Sequence, residues 1–172
     1  MGAGIAIVAA RAGFRTICFD QSENALARAM KQTSGFFDKS VERNKLTAEQ
    51  RDGILGRMSS TTRLDDLGTC DMVIEAVFED LKIKRGRLAD LDKTCPPATI
   101  FASNTSTLSI TEIAAGCKRP DKVVGMHFCL PAQLMKLIEM SPGLLTSKET
   151  FATAWSWTKA AGQIPVETQD KP

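Results

Sequence analysis

The sequence predicts an α/β domain with a doubly wound, mostly parallel sheet and an inserted helical hairpin, and three observations carry that expectation. Short β-rich runs alternate with helical segments along nearly the whole chain. Two of the runs, Met72 to Val77 and Thr99 to Ser103, are close to continuously apolar, as strands buried on both faces of a parallel sheet are. Between the strand candidates Thr16 to Asp20 and Ser60 to Thr62, two helical segments follow one another, broken only at Asn44-Lys45-Leu46.

Taken in order, Gly2 to Gly13 is small and apolar and reads as a tightly packed helix with a glycine stop. Thr16 to Asp20 is a short strand ending in an acid. Ser22 caps a long helix running to about Val41, and the Thr47-x-x-Gln50 capping box opens another to about Met58. After the Met72 strand a helix spans about Leu81 to Lys93 and is stopped by Pro96-Pro97. The Thr99 strand leads through Ser109-x-x-Glu112, a second capping box, into a short helix. Strands at Lys122 to Phe128 and Met135 to Met140, a helix from Ser147 to Ala161 and a strand at Ile164 to Thr168 complete the chain.

Composition narrows the function classes. At 172 residues, 43% apolar and 24% charged, the chain suffices for one domain with its own core. A net charge of +2, with cations and anions interspersed, argues against nucleic acid or a membrane surface as partner. The five cysteines show no CxxC or metal-ligand spacing, so they read as free structural thiols of an intracellular protein, and no metal site is expected.

Chemistry in such a sheet sits beyond the carboxyl ends of the strands. Asp20, Glu79, Asn104 with Ser106, and His127 fall there. Asp20 reads either as the acid that grips an adenosine ribose, favouring NAD over NADP, or as a carboxylate that merely caps the next helix. Ser103 to Thr107 reads either as a set of hydroxyls and an amide offered to a ligand or as a polar loop into a capped helix. Lys39, Arg43 and Lys45 near the hairpin tip suit a phosphate-bearing ligand, with a solvated charged face as the alternative. The only histidine, His127, ends an apolar run, and Glu139 lies within another. On facing strands they would form a base and its orienting carboxylate; a satisfied core histidine beside an edge-strand glutamate is the other reading.

Four stretches, Met1 to Ala6, Val73 to Lys84, Ala102 to Ser106 and Met126-His127-Phe128 through Glu139, resemble in order the NAD-binding domain of the 3-hydroxyacyl-CoA dehydrogenases. The resemblance implies a Rossmann-like domain spanning residues 1–172 and NAD-dependent oxidation of 3-hydroxyacyl-CoA to 3-oxoacyl-CoA, in fatty acid β-oxidation or, reversed, in butanoate-type synthesis. It implies His127 as the base, Glu139 as its orienting carboxylate and Ser106 as a hydrogen-bond donor to the reacting oxygen. Gly2, Asp20, Glu79, Lys84, Asn104 and Ser106 match positions lining the cofactor site, and Ser106 and Lys45 become substrate contacts. It further implies an acyl-CoA partner, a homodimer formed through a C-terminal helical domain, and a bacterial cytoplasmic location, with mitochondrial matrix and peroxisome left open.

Three departures accompany the match. The family pattern His-Phe-Phe-Asn-Pro reads His127-Phe128-Cys129-Leu130-Pro131 here, so an amide is replaced by an isobutyl group. Met1 aligns inside the family's glycine loop, so the first strand and the loop's first two glycines are expected to be absent. The chain also stops at Pro172, where the family continues into its helical domain, and alone is expected to be inactive. A non-catalytic nucleotide-binding or structural relative is the competing reading.

Overall fold

The computed structural model describes residues 1–171 as two compact units, one of residues 1–64 with 130–134, the other of residues 65–129 with 135–171. In the first unit, α1 (Gly2–Arg11) buries every residue from Gly4 to Ala10 and ends before Gly13, whose φ of +98° is the left-handed stop the sequence predicts. Small side chains allow that burial. At Gly4 a β-carbon would lie 3.2 Å from that of Ala132, tighter than ordinary van der Waals contact, so glycine allows the 130–134 segment its close approach.

β1 (Thr16–Phe19) pairs in parallel with β2 (Met58–Thr61), and α2 (Glu23–Glu42) and α3 (Ala48–Leu55) are inserted between them as the expected hairpin. Ser22 caps α2 by accepting the Ala25 N–H, and Thr47 with Gln50 completes a full capping box on α3. That second helix is shorter than predicted, because it stops at Gly56 and Met58 already belongs to β2. Ile7 and Ala10 of α1 close against Phe37 and Ile54, so one apolar cluster joins all three helices.

The second unit holds a five-stranded sheet in the order β3 (Met72–Glu75), β4 (Ile100–Ser103), β5 (Val123–Phe128), β6 (Leu137–Pro142), β7 (Ile164–Glu167). β3, β4 and β5 are parallel, and β6 runs antiparallel to β5. The sheet is thus present in two pieces, β1–β2 and β3 to β7. β4, paired on both edges, is fully buried; β3, paired with β4 alone, is only half-buried, contrary to its continuous apolar sequence.

The helices of this unit are α4 (Leu81–Thr94), α5 (Ile110–Ala114) and α6 (Lys148–Ala160), capped by Asp80, Ser109 and Ser147. Arg119 secures the end of α4. Its guanidinium donates to Asp92 at 2.6 Å and to the orphan carbonyls of Cys95 and Pro96, and stacks 4.8 Å over the Phe101 ring. Ser109 accepts the Glu112 N–H as predicted, but the reciprocal half of the box is not among the hydrogen bonds of the described residues. Asp170 takes the first-turn donors instead. Among the described residues no helix is long and apolar enough to cross a membrane.

Candidate active site

The antiparallel β5–β6 pair makes the centre of the site. Its register sets His127 directly opposite Glu139, so both side chains leave the same face, and Nδ1 lies 2.8 Å from Oε2. An ionised carboxylate can only accept, so the ring proton belongs on Nδ1 and Nε2 presents its lone pair away from Glu139. In β5, Val123 to Met126 and Phe128 are buried, whereas His127 and Glu139 keep 32% and 43% of their side-chain surface. That exposure opens into a cleft of about 180 Å³ walled also by Ser106, Gly125, Ser141, Thr168 and Asp170. Gly125 keeps the wall close, since a β-carbon there would come within 2.9 Å of Ile110.

Asn104 ties the end of β4 to the backbone beside the histidine. Its N–H donates to the Glu75 carbonyl at 2.9 Å, and its Oδ1 accepts the Phe128 N–H at 2.8 Å.

Glu79 lies just before the cap of α4. Its Oε1 accepts from the Thr105 hydroxyl at 2.5 Å, the Ser106 N–H at 2.9 Å, the Thr107 N–H at 3.1 Å and the Thr107 hydroxyl at 3.2 Å, while Oε2 faces the Lys84 ammonium at 3.3 Å. Partial burial pushes this carboxyl upward, but those hydrogen bonds and the nearby cation outweigh it and hold the group at about 2, against 4.5 ordinarily. The sign is that of a depressed acid: its stabilisation is complete above about pH 4.5 and disappears as pH falls toward 2. Glu79→Gln should therefore flatten the fall in unfolding free energy across that window, measured by urea titrations at several acid pH values.

Lys84 is fully buried, its ammonium 3.0 Å from Glu75 Oε1 as well as beside Glu79. Glu75 also accepts from Ser103 and from the Val77 N–H. The charge that the sequence offered to a cofactor is thus enclosed between two carboxylates.

In the first unit Gly2 begins α1, no side chain caps that helix, and a β-carbon on Gly2 would meet nothing within 4 Å. Asp20 is exposed at the end of β1; one oxygen accepts the Ser22 N–H at 2.8 Å, and the other has no hydrogen bond among the described residues. Asp20 thus turns the chain into α2 and keeps one acceptor oxygen without a partner among the described residues. Lys39, Arg43 and Lys45 are exposed.

Asp170 is the residue that sequence reasoning missed. Its carboxylate accepts from the Ser109 and Thr111 hydroxyls and from the Ile110 and Thr111 N–H groups, at 2.5 to 3.0 Å. Partial burial raises that carboxyl and the four donors more than reverse it, so it sits below the usual range. The partners are about sixty positions away in sequence, and only the unsatisfied donors of a short helix could have hinted at them.

The open N-terminus of α1, the free acceptor on Asp20 and the histidine–carboxylate pair fit a dinucleotide-dependent oxidoreductase domain. Residues 1–171 match the family described as 3-hydroxyacyl-CoA dehydrogenase, NAD binding domain, and the chain belongs to that family. It is 40% identical to the 3-hydroxybutyryl-CoA dehydrogenase of Clostridioides difficile, an alignment covering 100% of this chain and 61% of that protein. With the 3-hydroxyadipyl-CoA dehydrogenase of Escherichia coli it shares 41% identity, over 100% of this chain and 36% of the other. The crystal structure of 3-hydroxybutyryl-CoA dehydrogenase from Escherichia coli superimposes with a TM-score of 0.97 at 41% identity, covering 100% of this chain and 36% of that one. The chain thus spans less than two thirds of the length of these relatives.

Proposed function

We propose that this chain is the cofactor-binding and proton-transfer part of an NAD-dependent 3-hydroxyacyl-CoA dehydrogenase. The observation that carries the reading is the His127–Glu139 pair, 2.8 Å apart on facing strands and open to a cleft shared with Ser106. Bound NAD supplies the hydride acceptor. His127 Nε2 takes the proton of the 3-hydroxyl as the carbonyl forms, and Glu139 holds the ring and stabilises the imidazolium. Ser106, whose hydroxyl has no partner among the described residues, donates to the reacting oxygen. In the first unit, the Asp20 carboxylate suits two ribose hydroxyls, and Lys45 with Lys39 and Arg43 suits the phosphates of coenzyme A.

A helical domain in the whole protein would complete the substrate side and pair two copies. The names of the relatives support a short 3-hydroxyacyl-CoA as substrate. The test is NADH formation from 3-hydroxybutyryl-CoA and NAD by the whole protein. No NADH above the background without enzyme would sink the reading.

Leu130 favours the second reading, a non-catalytic relative. It is 71% exposed, and an isobutyl group cannot replace the amide of the family pattern. A missing donor there costs about 1–3 kcal/mol, or roughly tenfold to a hundredfold in rate. Leu130→Asn should accordingly raise turnover and leave NADH affinity unchanged. Flat or reduced turnover would strengthen the non-catalytic reading.

A further inference from the structure

We infer that Glu79, braced by Lys84, is a positioning residue for Ser106, an inference that rests on the dehydrogenase reading. One oxygen of Glu79 accepts from four donors of the turn that carries Ser106: the Thr105 hydroxyl, the Ser106 and Thr107 N–H groups and the Thr107 hydroxyl. The Ser106 hydroxyl is not among them, and Ser106 lines the cleft beside His127. A carboxylate offers about four acceptor sites on its two oxygens, so Glu79 has little left for a ligand of its own. The turn is wrapped round an internal anion, and that anion fixes which way its one free hydroxyl points.

Lys84 determines where the anion sits. Buried completely, it bridges Glu75 and Glu79, and Glu75 is itself fixed by Ser103 and the Val77 N–H at the ends of β4 and β3. Lys84 makes no hydrogen bond to the Ser106 turn; its effect there passes through Glu79. The strand ends, the ammonium, the carboxylate and the turn form one connected series. A network of this kind fixes geometry most strongly when every member is satisfied, and no buried side-chain polar atom among the described residues lacks a partner.

Two measurements test the inference. In the whole protein, Glu79→Gln should lower kcat by about tenfold with little change in KM for NAD, and should cost almost nothing further when Ser106 is already alanine. A purely structural role would give losses that multiply, and that outcome overturns the proposal. In the whole protein, too, hydrogen exchange at the Ser106 and Thr107 amides should quicken about tenfold or more in Glu79→Gln, and also in Lys84→Gln, which removes the brace but leaves the carboxylate.

Unchanged exchange in Glu79→Gln overturns the positioning, and unchanged exchange in Lys84→Gln overturns the brace. Should Glu79→Gln fail to fold, Thr107→Val, which removes a single hydroxyl from the same oxygen, replaces it in both measurements. Failure here is separable from failure of the dehydrogenase reading, which is decided by whether the wild-type protein forms NADH.

Discussion

His127→Gln should lower the turnover of the whole protein by about a thousandfold, the scale on which a positioned general base acts. Glutamine keeps a polar side chain at the strand end but cannot carry a proton between substrate and solvent. Because the pair stands at the open end of β5 and β6, the loss should come in kcat, while NADH affinity and thermal stability stay near wild type. Glu139→Gln should cost less, about tenfold to a hundredfold, since the amide still occupies the 2.8 Å contact but offers no charge to the imidazolium. With His127 gone, Glu139 has nothing left to orient, so the double variant should be little worse than His127→Gln alone. Single-turnover assays on wild type and the three variants separate the cases. Near-normal turnover in His127→Gln would sink the proton-transfer reading, and multiplicative losses would mean that the two residues work independently.

That pair was legible in sequence because a strand fixes its own geometry. A lone histidine at the end of one apolar run and a carboxylate inside the next could be set opposite each other by register alone, and Val124↔Pro142 through Phe128↔Ile138 is the register that does it. Caps at Ser22, Thr47 and Ser109 were legible for the same reason, being local chemistry. The roles of Glu79 and Lys84 were not. Sequence placed Glu79 at a strand end, where a cofactor is expected, and Lys84 on the helix that follows, and no local pattern says that a lysine in the first turn of α4 will be buried between two carboxylates. Asp170 was hidden likewise, since its donors lie on α5. β3 shows the opposite error. Its apolar run predicts cover on both faces, yet a strand's burial depends on what packs around it as much as on its own residues.

The buried lysine should also be the most sensitive point for stability. Lys84→Met should destabilise the chain by about 3–5 kcal/mol, because it removes the counter-charge of Glu75, whose side chain is only 10% exposed, while methionine fills the space and leaves little cavity. The cost falls mainly on Glu75: Glu79, 34% exposed, keeps its hydrogen bonds from the Ser106 turn and some access to water, and Glu75 keeps only Ser103 and the Val77 N–H. If an unpaired carboxylate is the cause, Glu75→Gln in the Lys84→Met background should recover a large part of the loss, although Glu75→Gln alone destabilises. Urea unfolding of the four proteins at neutral pH gives the coupling directly, provided the m-values agree. Losses that simply add would assign the effect of Lys84 to packing of its aliphatic stem, and a Lys84→Met chain as stable as wild type would overturn the counter-charge account.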